Sequence, residues 1–201
     1  MKKILILLTI AVFTIPGAFI NAQEVTASLD DALSSYKSDN LEDARFALQG
    51  ALNGINQAIG KEILAVLPDE MNGMSMVEAG DDVTGVNTGF AGLFISRSYT
   101  AENRNATIEI VSDSPLLAGI NTILAMPGFM TSDENQKRIK IEGYKALLTR
   151  NTDSEGMISY DLQMPFSGSL LTFQCSGIDD ENEVIGMVNN IPVDKIVAIA
   201  R

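Results

Sequence analysis

Several groups of residues have the types and spacing that chemistry requires. The segment Asn151-Thr152-Asp153-Ser154-Glu155-Gly156 sets oxygen ligands at alternate positions before a glycine, as the opening of an EF-hand loop does. Its twelfth position is Leu162 instead of the bidentate glutamate, and it joins two strand patterns, so a plain hairpin turn is expected. Asp179, Asp180, Glu181 and Glu183 concentrate carboxylates at a helix start, where capping accounts for the first two. A hard cation there would need ligands from another segment. Met71, Met74 and Met76 form a thioether cluster of the kind that takes Cu(I), although strand spacing of the last two points to packing. Ser114 precedes Pro115 and reads as a helix cap. As a nucleophile it would need a lysine base, and neither Lys140 nor Lys145 is tied to it by spacing. Paired carboxylates could hydrolyse a glycoside, but no pair is singled out by an apolar surround.

The chain has one cysteine and no histidine. The absence of histidine removes Ser–His and Cys–His nucleophile systems and most catalytic zinc sites. Cys175 shares the strand face of Leu171 and Phe173 and is expected to be a small buried apolar residue. No catalytic, cofactor-binding or metal-binding set is therefore assigned from these residues.

The elements that would position them begin with a long helical pattern over residues 40–67. Leu41, Ala44, Leu48, Ala51, Leu52, Ile55, Ile59, Ile63, Val66 and Leu67 recur at three- and four-residue steps and form one apolar stripe. Asp39 or Asn40 caps its start and Pro68 ends it. The rest of the chain is expected to pack on this helix. Gly50 and Gly54 share a second stripe, where another backbone approaches closely: a sheet, a partner helix or a second copy. A shorter helix over residues 28–37 carries Leu29, Ala32, Leu33 and Tyr36 on its apolar side, which gives a helical hairpin.

Residues 71–92 hold five glycines and read as a mobile connection with one short strand near residues 74–77. From Gly92 the period becomes two. Residues 93–99 and 106–112 read as a hairpin, followed by a helix that Asp113, Ser114 and Pro115 start and Pro127-Gly128 stop. Residues 131–136 read as a polar loop. Strand patterns then cover residues 138–142, 143–150, 157–164 and 169–176, with Gly143 as a bulge or bend. A helix over residues 181–190 and a short turn or helix through Ile196 and Ile199 close the chain. The expected fold is α+β: an N-terminal helical hairpin over residues 23–68, then over 69–201 an antiparallel sheet with a crossover helix and a C-terminal helix packed on it, in one compact domain with the hairpin.

Lys2 and Lys3 precede an apolar run to Ile15, broken by Pro16-Gly17. Residues 1–22 have the form of a secretory signal peptide, with cleavage expected after Ala22, so the address is periplasmic or secreted. The apolar run is too short to cross a bilayer comfortably, and no second such run follows. Loss of Lys2 and Lys3 leaves 12 basic against 26 acidic residues, a net of −14. Such a chain repels nucleic acid and anionic membrane surfaces.

Tyr99, Asp113-Ser114-Pro115 and Gly143-Tyr144-Lys145 follow a layout that resembles the α/β/α sandwich of the photosystem PsbP and Ran-binding Mog1 proteins, and that of uncharacterised secreted bacterial proteins. The resemblance covers about half the chain. It implies a non-catalytic binding or accessory protein and carries no site residues with it. The expectation is accordingly a non-enzymatic envelope protein that binds a protein or small ligand. The alternatives are a carboxylate-based hydrolase and a self-assembling envelope protein using the Gly50/Gly54 face.

Overall fold

The computed structural model describes residues 17–84, 92–112, 114–126 and 135–200. The first part of the expected signal peptide, the end of the glycine-rich connection, Asp113, Pro127-Gly128 and nearly all of the polar loop lie outside the described residues. The chain divides into two compact units, Met1–Gly54 and Ile55–Arg201, and the division falls inside the long helix.

The first unit contains helix α1 (Gly17–Lys37) and the first half of α2 (Leu41–Val66). α1 is longer than the pattern over residues 28–37 predicts. No proline falls between Gly17 and Lys37, and the Thr26 hydroxyl closes back on the Ala22 carbonyl at 2.8 Å. The turn between the helices has Asp39 at φ 61°, and Asn40 caps α2 by accepting from the Asp43 N–H at 3.4 Å. Gly50 faces Ser28 of α1, and a Cβ on Gly54 would stand 2.5 Å from Cγ2 of Val25. The glycine stripe is thus covered within the chain by α1 and is not an open self-association face.

The apolar stripe of α2 is not buried throughout, as its periodicity predicts. Ala44 and Ala51 are buried, but Leu41, Leu48, Leu52 and Ile55 are exposed. Burial of the large side chains begins at Ile59, and Ile63 and Leu67 lie in the core of the second unit. Within the second unit, the sheet packs on the last two turns of α2.

In the second unit, the described strands form one antiparallel sheet. They are β1 (Glu70–Met71), β2 (Met74–Met76), β3 (Asp82–Thr84), β4 (Phe94–Ala101), β5 (Arg104–Ser112), β6 (Gln136–Ile141), β7 (Tyr144–Thr152), β8 (Ile158–Phe166) and β9 (Ser169–Ser176). Their order is β1-β2-β4-β5-β9-β8-β7-β6, with β3 also paired to β4. The segment before residue 85 thus holds more order than its glycines predict. β2 and β3 pair with β4, and β1 with β2, because Met71, Met74 and Val83 have apolar surface to cover. Gly143 is neither a bulge nor a bend: Glu142 and Gly143, at φ 46° and 89°, make a two-residue turn between β6 and β7. Positive φ at both central positions matches the twist of the flanking strands and favours glycine at the second. Ser167-Gly168 turns β8 into β9 in the same way.

Alternation along the strands divides the sheet into two faces. Tyr99, Ile108, Phe173, Leu162 and Leu148 point to one face and pack with Ile63 and Leu67 of α2, with α4 (Glu181–Val188) and with α5 (Val193–Ile199). The crossover helix α3 (Leu117–Ala125) sits on the opposite face, where Ile120 and Leu124 meet Leu147. One buried charge interrupts the core. Arg97 on β4 donates from Nε and Nη2 to the two Asp81 carboxylate oxygens, at 2.8 and 2.6 Å, and from Nη1 to the Leu67 carbonyl at 3.1 Å. It thereby caps the C-terminus of α2, where the helix dipole favours a cation. Its pKa is raised, first by the hydrogen bond to Asp81. Tyr99 beside it donates to the Pro68 carbonyl at 2.9 Å, and burial pushes its phenol up to about 12.

Candidate functional site

Among the described residues of the second unit, α3 covers one end of the second face of the sheet. Beyond α3 that face presents side chains that make hydrogen bonds and carry little charge. Strand register sets them in rows. Asn105, Ser176, Ser159 and Asn151 stand side by side across β5, β9, β8 and β7. The next row on the same face runs Ser98, Thr107, Gln174, Asp161 and Thr149. The Ser176 hydroxyl lies 3.0 Å from Oδ1 of Asn105, and Gln174 Nε2 donates to Asp161 Oδ2 at 2.9 Å. Between the rows lies an open depression of about 300 Å³.

The rows follow from the sequence in two steps. The strands that send Ile108, Phe173 and Leu162 inward must send Thr107, Gln174 and Asp161 outward. Antiparallel pairing in register then sets those outward residues beside one another. Exposed hydroxyl and amide groups keep capacity to donate and to accept, because each side chain has more bonding positions than its one neighbour uses. Asp161 is the one carboxylate lining the depression, and it is held by the Gln174 amide. The arrangement can hold a polar surface by many weak directional contacts.

Of the residues singled out from sequence, Asn151 and Cys175 line this depression, and most of the others lie elsewhere and are engaged structurally. Asp153 Oδ1 accepts from the Glu155 and Met157 N–H groups, at 2.9 and 2.8 Å, which closes the β7–β8 turn. Asp180 caps α4 by accepting from the Asn182 N–H at 2.9 Å. Glu181 pairs with Lys137 at 2.7 Å, and Glu183 pairs with Arg104 at 3.6 Å and accepts from Asn72. Among the described residues, no group of three or more acidic or cysteine side chains is placed to hold a metal ion. Met71 and Met74 are fully buried and Met76 packs against the same core, so the thioethers are packing residues. Ser114 is buried and its hydroxyl accepts from the Leu116 N–H at 3.3 Å at the start of α3. Lys140 and Lys145 face each other across β6 and β7. Cys175 is buried, and burial pushes its thiol up to about 11.

Sequence reasoning missed the polar rows. Their signal was present in the outward half of each alternating strand, as in Thr172, Gln174 and Ser176, but the rows exist only because β5 pairs with β9. No family model matches the chain, and neither a curated protein nor a solved structure was found to be similar to it. No described helix is long and apolar enough to cross a membrane.

Proposed function

We propose that the chain is a non-catalytic binding protein of the cell envelope, periplasmic or secreted, and that its open sheet face holds a polar, uncharged ligand or partner surface. The observation that carries this reading is the pair of hydrogen-bonding rows across β5, β9, β8 and β7, around a depression with a single carboxylate. A net charge of −12 disfavours anionic ligands, and the flat, hydroxyl- and amide-rich lining favours groups such as sugar hydroxyls or peptide amides. A non-catalytic accessory role is also what the PsbP/Mog1-like layout implies. The test is titration of labelled protein with neutral oligosaccharides and neutral peptides, read by amide chemical shifts. Saturable shifts at Thr107, Asp161 and Gln174 are expected, with loss of binding in a Thr107→Val, Gln174→Leu double variant. Binding that maps to another surface would overturn the site. Hydrolytic turnover that co-purifies with the homogeneous protein would overturn the non-catalytic reading.

A further inference from the structure

The helical hairpin of the first unit is packed inside out. Its buried apolar positions are Ala32, Ala44 and Ala51, whereas Leu29, Leu33, Tyr36, Leu41, Leu48 and Leu52 are exposed, from 46% at Leu29 to 66% at Tyr36. These six residues lie at helical steps on one side of each helix, and four of them, with Ala32 and Ala44, line an apolar groove of about 230 Å³. Alanine inside lets two helices approach closely. Leucine at three- and four-residue steps outside is the pattern of a seam that meets further helices. From these observations we infer that the hairpin pairs with the hairpin of a second copy of this chain, and that the two form a four-helix bundle with leucine at its centre.

Two observations favour a second copy as the occupant. The six side chains expose on the order of 600 Å², close to the roughly 800 Å² that each partner contributes to a standard stable interface. That area is at the upper end of what an exposed apolar patch on a monomer commonly reaches, and residues of both helices line one groove within it. Second, the seam is apolar on both helices, so it is complementary to itself, as a two-fold interface must be. The excess of acid over base in the hairpin opposes association, so pairing strengthens as salt screens it.

The experiment uses protein purified from the cells that make it, so that any processing is native. Sedimentation equilibrium over a concentration series should give twice the chain mass at the upper end, with a dissociation constant that falls as salt rises. Leu33→Gln with Leu48→Gln should weaken the dimer by at least about tenfold while the far-ultraviolet spectrum is kept. Should that variant unfold, a nitroxide on Leu41→Cys provides a second readout, because native Cys175 is buried and leaves the new thiol to be labelled. Dipolar coupling between labels that disappears on dilution with unlabelled protein supports the pairing. A monomer at every concentration, or a monomer that floats with phosphatidylcholine vesicles through this seam, overturns it, as does a dimer that the double glutamine variant leaves unchanged.

Discussion

In the sheet unit the large side chains are inside: Leu148, Leu162, Phe173 and Ile196 are each at most 2% exposed. In the hairpin the buried apolar residues are alanines and the leucines face outward. Both units use the same apolar alphabet, yet a leucine stabilises the sheet unit within one chain, whereas in the hairpin it has little to rest on until something covers it. The difference teaches that periodicity reports which residues share a face. It does not report whether the same chain supplies the cover.

The contrast can be broken most sharply in the sheet core. Phe173→Ala should remove about 3–5 kcal/mol of stability, measured by urea unfolding, because a fully buried ring leaves a cavity. A loss below about 1 kcal/mol would mean that the sheet core is as loosely specified as the hairpin seam. Arg97→Met should cost about 3 kcal/mol by the same measurement, since Asp81 loses its buried partner and the Leu67 carbonyl its donor. Alkaline unfolding probes the neighbouring phenol. Tyr99 keeps its proton to about 12 in the folded chain, whereas an unfolded tyrosine loses it near 10. Its contribution is therefore complete below about pH 10 and is lost as pH rises to about 12, by up to about 3 kcal/mol. Tyr99→Phe should flatten that decline.

Effects in the hairpin should be smaller. Gly54→Ala should cost about 1–2 kcal/mol by forcing α1 away from α2, and Val25→Ala in the same chain should restore most of it. Leu48→Gln should change the stability of the monomer by no more than about 0.5 kcal/mol, because the side chain is half exposed before and after. A large loss at Leu48 in dilute monomer would show that the two units do not differ in the way described.

Much of the fold was legible in the sequence, and the reasons are local. The period of α2, its cap at Asn40, the alternation of β4, β5, β8 and β9, and the cap at Asp180 depend on residues a few positions apart. The order before residue 85 was not legible, because two- and three-residue strands have too few positions to show a period and exist through pairing with one another and with β4. The β6–β7 turn at Glu142 and Gly143 was read as a bend because a two-residue turn hardly interrupts the alternation. The candidate site was legible only as single outward residues: Thr107 and Gln174 are 67 positions apart and become neighbours through the β5–β9 ladder. The acidic clusters stand out by composition, yet the carboxylates of Asp153, Asp180, Glu181 and Glu183 are engaged in a turn, a cap and ion pairs.

That ladder has a consequence for how the chain acquires its fold. β4 and β5 form a local hairpin, and β6 to β9 form a local meander, each joined by short turns. A single long-range seam of eight registered pairs, Asn105 with Ser176 through Ser112 with Ser169, joins the two halves. Closing so long a loop before any contact repays it is slow. Topology therefore predicts that the zipping of β5 onto β9 is slow, and until β9 has emerged from a ribosome or a translocation channel, β5 has no partner on that side. A chain that threads through a membrane pore in an unfolded state would find this delay useful, since its sheet cannot close before nearly all of it has passed.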